Sequence, residues 1–324
     1  YISMLKRGAF SGVVVDAIEY ENAGMLGASC DISDTEAVAY SNYLCDELGL
    51  DAISAGNIVG FVMECFQKNL LKKEAVGFEF KFGDFGAQMA LIKMIAMREG
   101  FGDVLAEGVM RAAQRIGKGA ESFAIHIRGL ETPAWPPRGS PGMGLALATS
   151  DRGGCHQRGW PIGYELGSPT PYGETLDRLT LSGKPKIVKW EQDFLSALYS
   201  LVECEFSRSM LNANHYCKLL NTVTGFGIEA DEYMKIGERV WNLVRAFNVR
   251  EGFTRVQDTL PQRFMIEPLP SGPAKGHVIS LQDLNKMLNE YYALRGWDER
   301  GVPTQDKLAQ LELEGVLNQI RMEG

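Results

Sequence analysis

Apolar residues recur at helical spacing through most of the chain, and runs with the two-residue alternation of a strand are nearly absent. Ser33 and Glu36 form an S-x-x-E pattern, which predicts a capping box and a helix that ends near Gly49. Further periodic segments predict helices at 55–71, 89–99, 104–116, 189–204, 230–247 and 281–294. The pattern therefore predicts a mainly α fold with little β-sheet.

The helical pattern is interrupted between residues 122 and 171, where seven prolines alternate with many glycines. In a compact protein such a stretch is usually a connector or a loop that builds a site. Because 324 residues exceed one typical core, we expect two domains. We expect helical domains at 1–125 and 126–324, the second with a loop-rich entry.

Composition and charge exclude some classes of protein. The hydrophobic fraction is 45%, and the net charge of 33 − 41 = −8 is spread along the chain. A nucleic-acid binder would need a face rich in Lys and Arg, so none is expected. No run approaches 18 consecutive apolar residues, so no membrane-spanning helix is expected either.

The first residues contain neither an initiator Met nor a signal-peptide pattern, and we expect the chain to begin inside a longer protein. A trimmed tag or a disordered start is the alternative.

The six cysteines lie far apart in a long chain that carries no secretory signal. This distribution is typical of a reduced, cytoplasmic protein rather than a disulfide-bonded one. Because no C-x-x-C pair occurs, we expect no self-contained iron–sulfur or zinc site.

The first candidate site is the segment 46–51, with the sequence D-E-L-G-L-D. Asp46 and Asp51 flank a turn at Gly49 that joins two predicted helices. Carboxylates at such a junction can accept paired hydrogen bonds from a flat, nitrogen-rich ring. The alternative is a solvated helix terminus in which Asp51 caps the following helix.

The second candidate is the glycine-rich loop 152–156, with the sequence R-G-G-C-H. His156 could approach a ligand closely and exchange a proton near neutral pH. Cys155 beside it adds a metal ligand or a nucleophile as options. The alternative is a structural histidine.

Two further candidates are weaker on their own. Glu19 and Glu21 are paired acids ahead of a glycine-rich turn, and the alternative there is a solvated charge pair. Cys204 lies between Glu203 and Glu205 at the end of an apolar helix, and the alternative is a small buried apolar residue.

Taken in this order along the chain, these segments resemble the aldehyde ferredoxin oxidoreductase family. The D-x-x-G-L-D turn and the R-G-x-C-H loop are the most specific of the similar segments. The resemblance covers essentially the whole chain, through segments 19–27, 46–56, 99–108, 148–156, 244–248 and 291–297.

The resemblance implies a protein with a β-rich amino-terminal base and two helical domains, and this chain would be those two domains. The helical domains cover two pyranopterins whose dithiolenes hold tungsten (molybdenum in principle), and a 4Fe-4S cluster lies alongside. The implied activity is oxidation of an aldehyde to a carboxylic acid, with ferredoxin as the electron acceptor. The expected partners are thus an aldehyde, ferredoxin and the amino-terminal domain; a homodimer stays open.

The resemblance also implies roles for single residues. Glu21 and His156 correspond to side chains close to the metal, the first as a base and the second as a donor to developing negative charge. Cys204 corresponds to one cluster ligand, with the other three expected upstream of Tyr1. We expect Glu21, Asp46, Asp51, His156 and Cys204 to converge on the inner surface of the two domains. The residues that correspond to the pterin-binding set are Asp46, Gly49, Leu50, Asp51 and Arg152.

One segment departs from the family pattern. The family's second pterin turn repeats the D-x-x-G-L motif, but here Tyr199 replaces the leading acid and Val202 the glycine. This departure, the missing initiator Met and the missing cluster cysteines keep a second interpretation open, and the range of reactions that the family's scaffold supports keeps a third. The chain could be a non-catalytic cofactor-binding or assembly fragment, or a family member that reduces another substrate.

Overall fold

The computed structural model of the protein describes residues 2–5, 10–16 and 18–315. Within these ranges the fold is mainly α, as the sequence predicted, and strands of two or three residues form two small antiparallel hairpins. The chain divides into two compact units, the first made of Tyr1–Pro136, Arg152–Cys155 and Pro261–Arg263, and the second of the remaining residues. The chain first crosses between the units at Pro136–Pro137, inside the proline-rich stretch.

The first unit contains seven α-helices and four short strands in the described residues. They are β1 (Ile2–Met4), β2 (Val14–Asp16), α1 (Tyr20–Leu26), α2 (Thr35–Leu48), α3 (Ala52–Gln67), α4 (Lys73–Val76), α5 (Phe85–Met97), α6 (Phe101–Leu105), α7 (Val109–Ile116), β3 (His126–Ile127) and β4 (Leu130–Glu131).

The core of the first unit is built from the apolar faces of α2, α3, α5 and α7. Val59, Val62, Leu91 and Ile92 are fully buried there. Helix α1 packs along α3, which brings the start of the chain onto this core. No single described helix is both long and apolar enough to cross a membrane. Helices α2 and α3 reach the required length and apolar composition only when they are taken together, and they are bent by 117° at their junction.

The second unit contains the remaining helices of the described residues. They are α8 (Pro141–Thr149), α9 (Ile162–Glu165), α10 (Lys184–Ser200), α11 (Ala213–Thr224), α12 (Ala230–Arg250), α13 (Gln262–Ile266, which starts in the first unit), α14 (Leu281–Arg295) and α15 (Gln305–Gln310).

Helix α10 is the centre of the second unit and packs against α8, α12 and α14. A buried polar network crosses this packing. The Arg295 guanidinium, fully buried, pairs with Asp193 and donates to Gln192 Oε1 at 2.8 Å and to the Tyr291 hydroxyl at 2.9 Å. Each buried charge thus has partners, as burial in a helical core requires. The 291–297 segment of the resemblance therefore has a structural role in this unit.

Two predicted features are wrong in detail. The cap of α2 is Asp34, whose Oδ1 accepts from the N–H of Glu36 at 2.9 Å, so Ser33 and Glu36 form no capping box. A carboxylate one residue further on takes the capping position instead. The predicted helix 104–116 is two helices: α6 ends at Leu105, and Gly108, with φ +88°, is the N-cap at which α7 begins.

The pattern also missed seven helices of the described residues, namely α1, α4, α8, α9, α11, α13 and α15. Helix α8 is buried on all sides, so it has no polar face to produce a periodic pattern. Its N-terminal amides donate instead to the buried carboxylate of Glu165, Gly142 N at 2.8 Å and Met143 N at 3.2 Å.

Candidate functional site

Glu21 is a buried carboxylate in the first turn of α1. Its Oε2 accepts a hydrogen bond from the backbone N–H of Ala134 at 2.5 Å. Burial raises the pKa of Glu21 from 4.5 to about 7, and the Ala134 amide opposes part of that rise. A carboxylate with a pKa near neutrality can take up and release a proton at physiological pH. The solvated charge pair considered for Glu19 and Glu21 is therefore wrong for Glu21.

Ala134 belongs to a segment that follows the second hairpin, and we call residues 131–135 the strap. The hairpin pairs His126 with Glu131 and Ile127 with Leu130. Its two central residues, Arg128 (φ +52°) and Gly129 (φ +86°), both have positive φ, as a type I′ turn requires. The turn sends the chain back toward α1 and thus positions the strap against Glu21.

Residues 152–155 of the R-G-G-C-H loop belong to the first unit, and the two glycines pack on this hairpin. A Cβ on Gly153 would lie 2.6 Å from the Ile127 carbonyl oxygen, and one on Gly154 would lie 2.8 Å from that of Leu130. Both glycines are therefore needed for close approach of two backbones. Arg152 donates to the Cys155 sulfur at 2.8 Å and is itself exposed. The glycines have a packing role, and the cationic side chain remains accessible to an anionic or carbonyl-bearing ligand.

His156 begins a short 3-10 helix, His156–Arg158, in the second unit and is half-buried. Its ring meets Trp160 edge-on, with 6.4 Å between the ring centroids. The segment is fixed by Arg158, which pairs with Asp151 through a Nη2–Oδ2 contact of 2.8 Å. Sequence reasoning missed this ion pair, although both residues lie in or beside the D-R-G-G-C-H motif.

The first turn has the predicted geometry. Gly49 ends α2 in the left-handed conformation, φ +67° and ψ 33°, and Asp51 begins α3 with an extended backbone. Asp46 and Asp51 are both exposed, and Asp51 Oδ1 accepts from the Ser54 N–H at 2.8 Å. The capping alternative for Asp51 is thus observed, and one of its oxygens remains for a ligand. Leu50 is half-buried between them.

A polar chain within the first unit joins α1 to this turn. The Asn22 amide donates to Asn42 Oδ1 at 2.6 Å, and the Asn42 amide donates to Asp46 Oδ2 at 3.1 Å. Although Asp46 is exposed, partial desolvation of its carboxyl, followed by the negative charges of Asp16 and Glu47, raises its pKa above the ordinary value. The helix of Glu21 and the turn of Asp46 are therefore linked through adjacent side chains.

The second turn keeps the backbone geometry although its sequence departs from the family pattern. Val202 has φ +58°, a conformation that glycine adopts far more readily, and its N–H bonds the Tyr199 carbonyl at 3.0 Å. Cys204 follows with an exposed side chain. The Tyr199 hydroxyl donates to the buried carboxylate of Glu205. A carboxylate is therefore present at this junction even though position 199 has lost its acid.

The described residues place Glu21, Asp46, Gly49, Leu50, Asp51 and Arg152 in the first unit, and His156 and Cys204 in the second. Convergence of the two sets on one surface stays a prediction. Sequence reasoning missed the strap, which the two prolines at 133 and 136 around Trp135 could have indicated as a rigid segment.

The residues of the first turn fit a flat, nitrogen-rich ring. A cavity of about 300 Å³ beside the turn is lined by Leu50, Asp51, Ser54 and Glu131, among others. Carboxylate and hydroxyl oxygens in this lining can accept from ring N–H groups, and the volume suits a small ring system. Within the described ranges, no three His, Cys, Asp or Glu side chains are grouped to hold a metal ion directly. A metal carried by the ring's own substituents would need no such group.

Comparisons with known proteins agree with the resemblance. The family model described as aldehyde ferredoxin oxidoreductase, domains 2 & 3, matches residues 2–313. The chain is 40% identical over 302 residues to the tungsten-containing aldehyde ferredoxin oxidoreductase of Pyrococcus horikoshii, covering 91% of this chain and 48% of that relative. It is 32% identical to the aliphatic sulfonate oxidoreductase, WOR-like subunit, of Pyrococcus furiosus, covering 99% of this chain and 49% of that one.

A solved structure shares the fold: the active site complex BamBC of benzoyl coenzyme A reductase in complex with 1,5-dienoyl-CoA. The TM-score is 0.77 at 22% identity, covering 98% of this chain and 52% of that one. The fold and the sequence match define an oxidoreductase scaffold of two helical domains. This chain belongs to the aldehyde ferredoxin oxidoreductase family. It spans about half the length of the curated relatives that it matches.

Proposed function

We propose that the chain is the carboxyl-terminal part of a tungsten-dependent oxidoreductase that oxidises aldehydes to carboxylic acids. The observation that carries this proposal is the buried Glu21 carboxylate, whose pKa of about 7 suits a general base. The family match and the names of the tungsten-containing relatives support the metal and the substrate class.

The reaction converts an aldehyde and water into a carboxylic acid, two protons and two electrons. When bound, a tungsten–pterin group supplies the acceptor for those two electrons. Glu21 Oε2 and Oε1 form the carboxylate that takes the proton from water or from its adduct with the aldehyde. The Ala134 N–H holds this carboxylate in one orientation, so the base needs little reorganisation as the reaction proceeds. His156 donates to the oxygen on which negative charge develops.

Residues of the first turn and Arg152 would hold the pterin cofactor. Asp46 and Asp51 would accept from the pterin ring, Gly49 would leave the space beside the turn open to it, since nothing lies within 4 Å of a Cβ there, and Leu50 would pack beside it. Arg152 pairs with an anionic group of the cofactor. Cys204 would provide one thiolate to a 4Fe-4S cluster, and the other three ligands would come from residues upstream of Tyr1. The cluster would supply the exit for the two electrons, with ferredoxin as their acceptor.

The test is a matched pair of variants in the full-length enzyme, purified without oxygen. Glu21→Gln keeps the shape and removes the base, so kcat should fall by about 10²–10⁴-fold while tungsten and pterin content stay at the wild-type level. In the wild-type enzyme kcat/KM should decline as the pH falls below about 7, since the base must be deprotonated. Glu19→Gln, two residues away and exposed, is the control and should keep full activity. Full activity in Glu21→Gln would contradict the proposal.

A second candidate function rests on the 32% identity to the sulfonate oxidoreductase subunit. The same base and metal could act on an aliphatic sulfonate instead of an aldehyde. Steady-state assays with aliphatic aldehydes and sulfonates, using one enzyme preparation of known tungsten content, distinguish the two. A kcat/KM at least tenfold higher for sulfonates would favour the second candidate.

A further inference from the structure

The strap is fastened to α1 at two successive residues. Ala134 donates its N–H to Glu21, and its side chain lies where a Cβ on Gly24 would be only 2.5 Å away. The next residue, Trp135, stacks on Tyr20 with 4.5 Å between ring centroids and 27° between ring planes. Three contacts of different chemistry thus hold one short segment against one turn of a helix.

The other end of the strap is anchored equally well. Glu131 is buried, and its two oxygens accept from the Ser54 hydroxyl at 2.9 Å and from the Val109 N–H at 2.6 Å. The Thr132 carbonyl accepts from the Asn57 side-chain amide at 3.5 Å. The strap is therefore tied to α3 and α7 before it reaches α1, and the Ala134 amide cannot easily move away from Glu21.

We propose that the strap is a positioning device for the Glu21 carboxylate, with Ala134, Gly24 and Trp135 as positioning residues that fix its orientation and its proton affinity. The inference rests on the proposed role of Glu21 as the base. The absence of a side chain at Gly24 is essential to this positioning, because any side chain there would push Ala134 away from α1 and lengthen its hydrogen bond to Glu21. Pro133 on the preceding side limits the backbone conformations open to the strap.

The direction of the effect follows from the charge of each group. A hydrogen bond from an N–H favours the ionised carboxylate, so the strap lowers the proton affinity that burial alone would give. Of the other titratable groups near α1, Tyr20 lies on the same helix, Cys30 in the following 3-10 turn, Asp46 on α2, Cys65 on α3 and Glu131 on the strap. None of them is a cause of the Glu21 shift, which has burial and the Ala134 amide as its two causes. Burial is the larger cause and raises the Glu21 pKa, and the Ala134 amide of the strap opposes it.

The experiment follows the Glu21 carboxyl directly by carbon-13 NMR titration in the whole 324-residue chain, assigned with Glu21→Gln. Ala134→Pro removes the N–H and should raise the Glu21 pKa by about 1–2 pH units, because a hydrogen bond to a charged group is lost. Ala134→Gly keeps the N–H and is the matched control, which should titrate close to wild type. In the full-length holoenzyme the acid limb of the kcat/KM profile should move upward with the NMR value.

Gly24→Ala keeps the proposal testable if Ala134→Pro fails to fold. Alanine favours a helix, so a raised Glu21 pKa in this variant must come from the displaced strap. A Glu21 pKa unchanged in Gly24→Ala, or shifted as far by Ala134→Gly as by Ala134→Pro, would overturn the proposal. The failure of the proposed function gives a different signature: activity would survive Glu21→Gln while the NMR titration still responded to the strap variants.

Discussion

Asp51 and Cys204 have the same backbone conformation at equivalent positions of two helix junctions. Asp51 has φ −66° and ψ 117°, and Cys204 has φ −68° and ψ 130°. In each turn the residue two positions earlier is in the left-handed conformation: Gly49 (φ +67°) before Asp51 and Val202 (φ +58°) before Cys204. The two turns are therefore built alike, although their sequences share neither the leading acid nor the glycine.

The first prediction concerns Val202, a β-branched residue in a left-handed conformation with 94% of its surface exposed. Such a conformation costs an L-residue about 1–2 kcal/mol, and an exposed side chain gives little packing in return. Val202→Gly should therefore stabilise the chain by about 0.5–1 kcal/mol, after the extra entropy of glycine in the unfolded state. Denaturant unfolding measures it, with Val202→Ala as the control that keeps the Cβ and should gain less. A loss of stability in Val202→Gly would contradict the assigned strain.

The second prediction concerns Cys204 in the full-length enzyme. If its exposed thiolate is a cluster ligand, Cys204→Ala should lower the iron content and the rate of electron transfer to ferredoxin while most tungsten is retained. Cys217→Ala is the matched control, because Cys217 is buried and burial raises its pKa. Its iron content should equal that of the wild type. Unchanged iron in Cys204→Ala would show that the ligand lies elsewhere.

The third prediction concerns His156. If its main task is donation to developing oxyanion charge, His156→Asn should reduce kcat by about 10²–10³-fold. The cofactor content should not change, because the role is in the reaction and not in binding. Arg158→Lys is a useful comparison, since it disturbs the anchor of the same 3-10 turn through the Asp151 pair. A KM effect without a kcat effect in His156→Asn would assign His156 to substrate binding instead.

Helical periodicity and the D-x-x-G-L-D turn could be predicted from sequence because both depend on local spacing. The end of α2 at Gly49 and the extended cap at Asp51 are of this kind. The strap could not be predicted, because the hydrogen bond between Glu21 and Ala134 spans 113 residues. Helix α8 was missed for a related reason: its amides are satisfied by Glu165 from a distant segment, and no local cap marks its start.

The fourth prediction uses two lysines of α10 that lie two residues apart. Lys184 and its partner Glu165 have fully buried side chains with a 3.1 Å contact, whereas the Lys186–Glu174 pair is 42% and 58% exposed. Lys184→Met should destabilise the second unit by about 3–5 kcal/mol, because it leaves a buried carboxylate without its cation. Lys186→Met should cost less than about 1 kcal/mol. Equal losses in the two variants, measured by denaturant unfolding, would contradict the burial of the first pair.

The last prediction tests the raised pKa of Glu21 through stability, without any assay of activity. The pKa is about 7 in the folded chain and 4.5 as its ordinary value, so the folded state binds the proton more tightly than the unfolded state does. Below pH 4.5 the carboxyl is protonated in both states and its ionisation costs the fold nothing. Between pH 4.5 and 7 the unfolded state ionises first, so the contribution of Glu21 to stability falls as the pH rises.

Above pH 7 the full cost is present, about 3 kcal/mol for a shift of this size. Glu21→Gln cannot ionise and should therefore be more stable than the wild type at pH 8, by up to about that amount, and nearly equal to it at pH 4. Denaturant unfolding of the whole chain at pH 4, 6 and 8 measures the difference, with Glu19→Gln as the exposed control that should show no such trend. If the stability advantage of Glu21→Gln over the wild type did not grow between pH 4 and pH 8, this carboxylate would ionise as freely in the folded chain as in water. That result would contradict a raised Glu21 pKa and with it the assignment of Glu21 as a base near neutral pH.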